Sequence, residues 1–321
     1  MNTFTLALDE GNFDLKYLDG SNKPKAIRSV RFQLPNGRFP LSSSNTSPLI
    51  EFDGKRYHFG YQAYKYRRQS HTVEEEKEQV ALLNALACIE PYESEFILKI
   101  HTSHPEPEKA GDTMRQQLIR TVTYKRNGHL IKAHIKAVHI AHEGYPAYQY
   151  AKSLGLVPET GFTVVIDIGG GTWLSRLIDE ESEIIDSTVS KRGGAYDLAT
   201  AIKFDERLTK ALGDKPDAGL IANGFADCSH HYPNNPDASW KNWLDEHLDP
   251  WFKGIFGEVR NQYQPYLPRV RKFLVTGGAS HLIAHKVQAT PLFTVIPEPR
   301  FANVRGLLPE TKVQKRKAIA A

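Results

Sequence analysis

Cysteine is nearly missing from this sequence: Cys88 and Cys228 are the only two in 321 residues. Two thiols cannot build the bridge network of a small secreted domain, so a disulfide scaffold is excluded. Cys228 stands near His230 and His231, but a lone Cys-x-His-His has no second ligand pair and reads as a loop. Long apolar runs are missing as well. Asp9 and Glu10 interrupt the first one, and none reaches the ~18 residues of a membrane span. No basic segment followed by an apolar stretch opens the chain, so the expectation is a cytoplasmic protein without a secretory leader. An excess of one charge sign is also lacking. Lys and Arg number 41 against 37 Asp and Glu, a net charge of +4. Nothing in that balance compels a nucleic-acid partner, and the basic stretch Lys312 to Lys317 reads as a solvated tail.

The length suits two lobes, each able to bury its own core. A content of 40% apolar and 24% charged residues is ordinary for a globular chain. Three short β runs organise it. Phe4 to Asp9 leads through a turn to Leu15 to Leu18. Phe162 to Asp167 leads through glycines to Trp173 to Ile178. Phe273 to Val275 precedes Thr276, Gly277 and Gly278. Short apolar runs bounded by glycine read as buried strands. Leu130 to Ile140 reads as another. Ile131, Ala133, Ile135 and Ala137 share one face, Lys132, His134 and Lys136 the other, and the alternation fails at Val138 and His139.

Helical segments lie between the strands. Thr72 and Glu75 make a capping box ahead of Val80, Leu82, Leu83 and Leu86. Pro146 suits the first turn of Ala147 to Leu154, which Gly155 can stop. Strands mixed with helices give the α/β class. Asp214 to Asp249, rich in Pro, Asn and His, reads as a loop-and-helix excursion at the surface, and Ser43 to Ser47 as an exposed loop tip.

Two strings, LALDEGNFDLKYL (Leu6 to Leu18) and VVIDIGGGTWLSRL (Val164 to Leu177), repeat one pattern about half a chain apart. An apolar strand ends in Asp, a glycine turn follows, then a second apolar run. Asp9 aligns with Asp167 and Gly11 with Gly169. Such a duplication predicts two lobes related by a pseudo-two-fold axis, each offering its turn to a shared cleft. Glycine lets backbone approach a ligand closely, and successive N–H groups then cradle phosphate oxygens. The strand-end carboxylates would repel phosphate directly. They make sense with a Mg²⁺ ion, keeping several waters, between them and the phosphates. A plain β-hairpin explains the first turn alone. It explains less well a second copy with Gly169, Gly170 and Gly171 ahead of Thr172.

These residues resemble the motifs of the superfamily of actins, heat-shock chaperone ATPases and sugar kinases. DEGNFDLK (Asp9 to Lys16) looks like the first phosphate motif, DIGGGT (Asp167 to Thr172) the second, and VTGGAS (Val275 to Ser280) the adenosine motif, in the family's order. Within the superfamily the chain looks most like the bacterial plasmid-segregation actins of the ParM or StbA type. Its opening, Glu51 to Tyr66, His142 to Ala151 and Glu298 to Leu308 each resemble a segment of theirs. The resemblance implies an actin-like fold, two pseudo-symmetric lobes with a nucleotide cleft between them. Residues 1–156 would form the first lobe, with 300–321 returning to it, and 157–299 the second. It further implies ATP, with GTP left open, and Mg²⁺. The activity implied is that of a filament-forming ATPase that segregates plasmid or other DNA through a DNA-binding adaptor protein, without touching nucleic acid or membrane itself.

Carried over residue by residue, Lys16 would contact the phosphates, and Gly11 and Asn12 would supply turn N–H groups. Gly169, Gly170, Gly171 and Thr172 would form the second phosphate turn. Asp9 and Asp167 would hold Mg²⁺ through water, Asp167 counting with Glu143 as catalytic. Glu143 would orient or polarise the attacking water, although an acid there also suits a helix N-terminus. Gly277 and Gly278 would border the adenosine. Gly193 and Gly194 would precede the helix flanking the base, with Lys203 or Glu206 as its purine-flanking side chains. Leu174 stands where the second motif usually continues to an Asp, which bears on the rate of hydrolysis. His134, His139 and His142 read as strand and loop histidines. The alternatives are a small-molecule kinase of the same superfold, with His101 to Lys109 (HTSHPEPEK) available to line an acceptor pocket, and a non-filamentous nucleotide-sensing module.

Overall fold

The computed structural model describes residues 1–19, 23–66, 77–90 and 93–308. The capping box expected at Thr72 and Glu75 and the basic stretch at 312–317 lie outside the described residues.

The first half of the chain runs β1 (Thr3–Glu10), β2 (Asp14–Leu18), β3 (Lys25–Arg28), β4 (Arg31–Gln33), β5 (Leu49–Phe52), β6 (Lys55–Phe59), α1 (Gly60–Tyr66), α2 (Lys77–Cys88), β7 (Glu95–His104), α3 (Pro107–Leu118), β8 (Thr121–Arg126), β9 (His129–His142) and α4 (Tyr145–Ser153). Its strands form one sheet in the order β3-β2-β1-β7-β9-β8-β5-β6-β4. The second half runs β10 (Phe162–Ile168), β11 (Thr172–Ile178), β12 (Ile184–Gly193), α5 (Ala195–Lys203), α6 (Glu206–Leu212), α7 (Ala218–Ala226), β13 (His231–Tyr232), β14 (Asn235–Ser239), α8 (Leu244–Gln262), β15 (Val270–Thr276), α9 (Ser280–Val287), β16 (Phe293–Val295) and α10 (Ala302–Leu307). Its main sheet is β12-β11-β10-β15-β16.

The two sheets repeat each other. An antiparallel hairpin, β1 with β2 or β10 with β11, is extended by two parallel strands, β7 and β9 or β15 and β16. The registers match too: Asp9 faces Lys16 across the first hairpin as Asp167 faces Leu174 across the second. Alternation along β1 sends Leu6 and Leu8 into the core under α2, and Ala7 to the opposite face against Val304 and Leu307 of α10. All seven residues of β10 are buried, as a strand covered on both faces requires.

The broken alternation of β9 has a physical cause. The pairing with β7 slips by one residue between Leu98↔Ile135 and Lys99↔Ala137, leaving Lys136 as a bulge. A bulge inverts the phase of every later side chain. Ile131, Ala133 and Ile135 are therefore buried before it, and Ile140 after it.

Helices α4 and α10 cross between the halves. Ala147, Tyr148 and Ala151 of α4 pack on Val165, Ile178 and Leu274 of the second sheet. α10 packs on Ala7 and Leu18 of the first. The helices meet at Gly306, where a Cβ would collide with the carbonyl of Pro146.

Two sequence expectations hold only in part. Asp214 to Asp249 is the expected mix of loop and helix, with much of it exposed, but it also feeds the core. Asp217 caps α7 by accepting from the N–H groups of Gly219 and Leu220. Ile221, Ala222 and Phe225 of α7 enter the second core, where Phe225 meets the fully buried Trp240 edge-on at 6.0 Å. The polar flanks masked a nine-residue segment that is apolar except for Asn223. In the loop Ser43 to Ser47, only the first four residues are exposed. Ser47 is buried, and Asn45 is tied by its side chain and carbonyl to the buried Arg126.

Candidate active site

Three residues join the strands of each hairpin, Gly11 to Phe13 in the first and Gly169 to Gly171 in the second. Each turn closes with one bond. The N–H of Gly11 donates to Asp14 O at 3.1 Å, and that of Gly169 to Thr172 O at 2.9 Å. The tips of the turns touch: a Cβ on Gly170 would press into Phe13, and one on Gly171 would come within 3.3 Å of Asn12 Nδ2. Gly11 lines the cleft, but its N–H is committed to its own turn. Its contribution is the missing side chain, since a Cβ there would sit 2.8 Å from Asp14 O and 3.5 Å from Lys16 Nζ.

A cleft of about 630 Å³ opens at the two tips, within the range of pockets that hold nucleotide-sized ligands. Asp9, Gly11, Asn12, Lys16, Glu143, Asp167, Gly169, Gly170, Gly171, Thr172, Gly277 and Gly278 all line it. Gly277 has φ +93, and a Cβ there would strike an Asp167 carboxylate oxygen, so glycine is required on both counts. Gly193 and Gly194 lie behind the second turn. A Cβ on Gly194 would meet Gly171 and Thr172 backbone, and the first N–H groups of α5, from Ala195 and Tyr196, donate to Gly169 O and Gly170 O at 3.1 and 2.7 Å. These glycines brace the turn from outside the cleft. Lys203 and Glu206 also lie away from it. The wall at the Gly277 and Gly278 end comes instead from Ala222, Phe225 and Ala226 of α7, tied to the glycine turn by His281, whose ring nitrogens face Gly278 O at 2.9 Å and Phe225 O at 3.0 Å.

The carboxylates differ in their partners. Lys16 Nζ pairs with Asp9 Oδ2 at 2.8 Å. Burial pushes the Asp9 carboxyl up, but Lys16 and Lys77 overcome it and hold it below its usual range. The Lys16 ammonium is held up by Asp9 and Asp167 against its own burial. Across the second hairpin Leu174 occupies the place of Lys16, so Asp167 has no cation opposite it. Burial, opposed by Lys16 but reinforced by Glu143 and Asp9, pushes Asp167 up to about 6. A buried carboxyl so perturbed in a cleft is a functional-site signature.

Four contributors carry no motif signal. Lys77 of α2 pairs with Glu143 Oε2 at 2.6 Å. Asn303 of α10 donates to Asp167 Oδ2 at 2.8 Å, and its side chain also helps to hold the Asp9 carboxyl down. Arg176 of β11 reaches the carbonyls of Glu143 and Pro105. Glu10, beside Asp9 but on the α2 face, accepts from Asn84 at 3.1 Å, and burial pushes it up to about 7. Each is a single polar residue in an otherwise ordinary helix or strand. Glu10, Arg176 and Asn303 lie within the strings LALDEGNFDLKYL, VVIDIGGGTWLSRL and FANVRGLL, but at positions to which the motifs give no role.

No protein-family model matches the sequence, and neither does any curated protein. Solved structures do match. An archaeal actin homolog in complex with ADP superimposes with a TM-score of 0.76, covering 96% of this chain and 98% of its own at 18% identity. A ParM filament from Clostridium botulinum gives 0.71 over 96% and 98% at 17% identity. The actin-like protein Alp7A gives 0.73 over 99% and 100% at 14% identity. The chain has the actin-like fold. Each match covers nearly the whole length of both chains. Among the described residues no helix is long and apolar enough to cross a membrane.

Proposed function

We propose that this chain binds ATP between the two glycine turns, hydrolyses it, and assembles into filaments under its control. The observation that carries the reading is the pair of matching turns meeting tip to tip, with Asp9, Asp167 and Lys16 gathered where they converge. Turn amides, Lys16 and the strand-end carboxylates would bind the polyphosphate from both lobes. Phosphoryl transfer to water relies on positioning and charge neutralisation. Glu143 would hold the attacking water, and Lys77, paired with it, would neutralise charge nearby.

Asp9 and Asp167 fit a Mg²⁺ site. Both are buried oxygen donors, and the positive charge of Lys16 does not offset the burial of the raised Asp167 carboxyl. Mg²⁺ keeps several of its waters and is commonly held by one or two carboxylates, which this pair can supply. When bound, the ion supplies charge neutralisation for the phosphates.

Contact of both lobes with one polyphosphate favours closure, and closure favours head-to-tail contacts that do not close on themselves. The likeness to ParM and other actin homologs supports DNA segregation through an adaptor as the task. Sedimentation tests the filament. ATP with Mg²⁺ should pellet the protein and ADP should not; protein that never pellets over a wide concentration range contradicts it. Asp167→Ala should abolish Mg²⁺-dependent phosphate release, and wild-type turnover in that variant contradicts the site. A kinase reading has one specific footing, since His104, Pro105 and Glu106 line the cleft beside Lys77. Phosphate transfer that requires an added sugar or acid would favour it.

A further inference from the structure

Resting on the nucleotidase reading, we propose that Arg176 is the positioning residue through which the second lobe fixes the place of Glu143. Arg176 projects from β11 and is only 2% exposed. Its Nε donates to Glu143 O at 3.1 Å and its Nη2 to Pro105 O at 2.6 Å. Those carbonyls belong to the segments leaving the ends of β7 and β9, which are joined to each other by the Glu143 N–H donating to His104 O at 2.9 Å. A guanidinium in the second sheet thus holds two cleft-lining segments that grow from the first. Two residues earlier on the same strand face, Leu174 presses on Gly144, where a Cβ would come within 2.8 Å of it. Gly144 has φ +85. The peptide after Glu143 is therefore gripped from one side by Leu174 and Arg176 together.

Packing alone does not explain an arginine here. By the matching hairpin registers, Arg176 against Val165 corresponds to Leu18 against Ala7. Leu18 fills that place with plain apolar contact to Val304 and Leu307. Burying a charged group where a leucine suffices is costly unless its hydrogen bonds are needed. Arg176 does not line the cleft, so its action passes through Glu143 and Pro105.

The test uses the full chain as wild type, Arg176→Met, Arg176→Gln, Arg176→Lys, Glu143→Gln and the Arg176→Met/Glu143→Gln double variant. ATP and ADP affinity, phosphate release and amide exchange are measured on each. Affinity should stay within about threefold while kcat of Arg176→Met falls roughly 100-fold, the size of effect that a small misplacement of a catalytic group produces. Arg176→Lys should recover most of the loss. The double variant should be no slower than Glu143→Gln, because residues acting as a unit are not additive. The amides of Glu143 and Tyr148 should exchange faster in the Met and Gln variants. Wild-type kcat in those variants, a loss confined to affinity, or additive losses in the double variant would overturn the proposal. If Arg176→Met does not fold, Arg176→Gln should still be at least about tenfold slower than Arg176→Lys, and equal rates overturn it. Exchange needs no turnover. A wild type without ATP hydrolysis refutes the nucleotidase reading, whereas unchanged exchange at Glu143 in the variants refutes the role of Arg176 alone.

Discussion

Asp9 and Asp167 hold equivalent places in two copies of one turn, yet their carboxyls move in opposite directions: burial pushes both up, and only at Asp9 do the neighbouring lysines overcome it. Lys16 opposite Asp9 keeps that site charged; Leu174 opposite Asp167 leaves a buried carboxyl that a cation would relieve. Glu10 shows the same physics without an evident ligand. Its carboxyl moves from an ordinary 4.5 to about 7 on folding, so between those values the native state binds more protons than the unfolded chain. Stability contributed at Glu10 is then lost as pH rises through that window. Glu10→Gln should stabilise the protein at pH 8 by on the order of 3 kcal/mol, with the gain vanishing below about pH 4.5. Urea unfolding of both proteins at the two pH values checks it; an equal difference at both would contradict the burial argument. The motif residues were legible because glycine and Asp at a strand end have few other uses. Lys77, Arg176 and Asn303 were not, because one lysine, arginine or asparagine looks the same in sequence whether it faces water or a cleft.

Strands were legible where the apolar period was unbroken. Phe162 to Asp167 and Trp173 to Ile178 lie within a residue of β10 and β11. The period misled where the backbone changed it. The bulge at Lys136 turned one strand into two phases that a single alternation cannot describe. α7 was lost because an apolar run broken only by Asn223 sat inside a polar segment, and with it went the wall of the cleft. The glycine of the returning segment has a role visible only in three dimensions, since it lets α10 cross α4 at backbone contact. Gly306→Ala would place a methyl group on the Pro146 carbonyl and should cost at least ~1–3 kcal/mol. A denaturant midpoint equal to wild type would mean that the crossing is loose.

The two halves are tied across the cleft as well as through α4 and α10. Arg28 of β3 stacks on Phe13 at 3.9 Å and reaches Asn223 of α7 at 3.2 Å, and Arg300 pairs with Asp14 at 2.7 Å. A ligand held by both turns would strengthen this closed arrangement, and a change in that ligand would loosen it. Such coupling is what a nucleotide-controlled assembly requires. The two-lobed plan was legible because one supersecondary unit occurs twice in the sequence. Surfaces for the proposed assembly were not, since one sequence carries no mark of which exposed residues would meet another copy. The proposed reaction is hydrolysis of a nucleoside triphosphate in the cleft, with Glu143 as the group facing water. Mg²⁺-dependent phosphate release from ATP by Glu143→Ala, beside wild type at saturating nucleotide, tests it most directly. The account predicts that the variant still binds ATP and turns it over roughly 10²- to 10⁴-fold more slowly. Equal rates in the two proteins would contradict it.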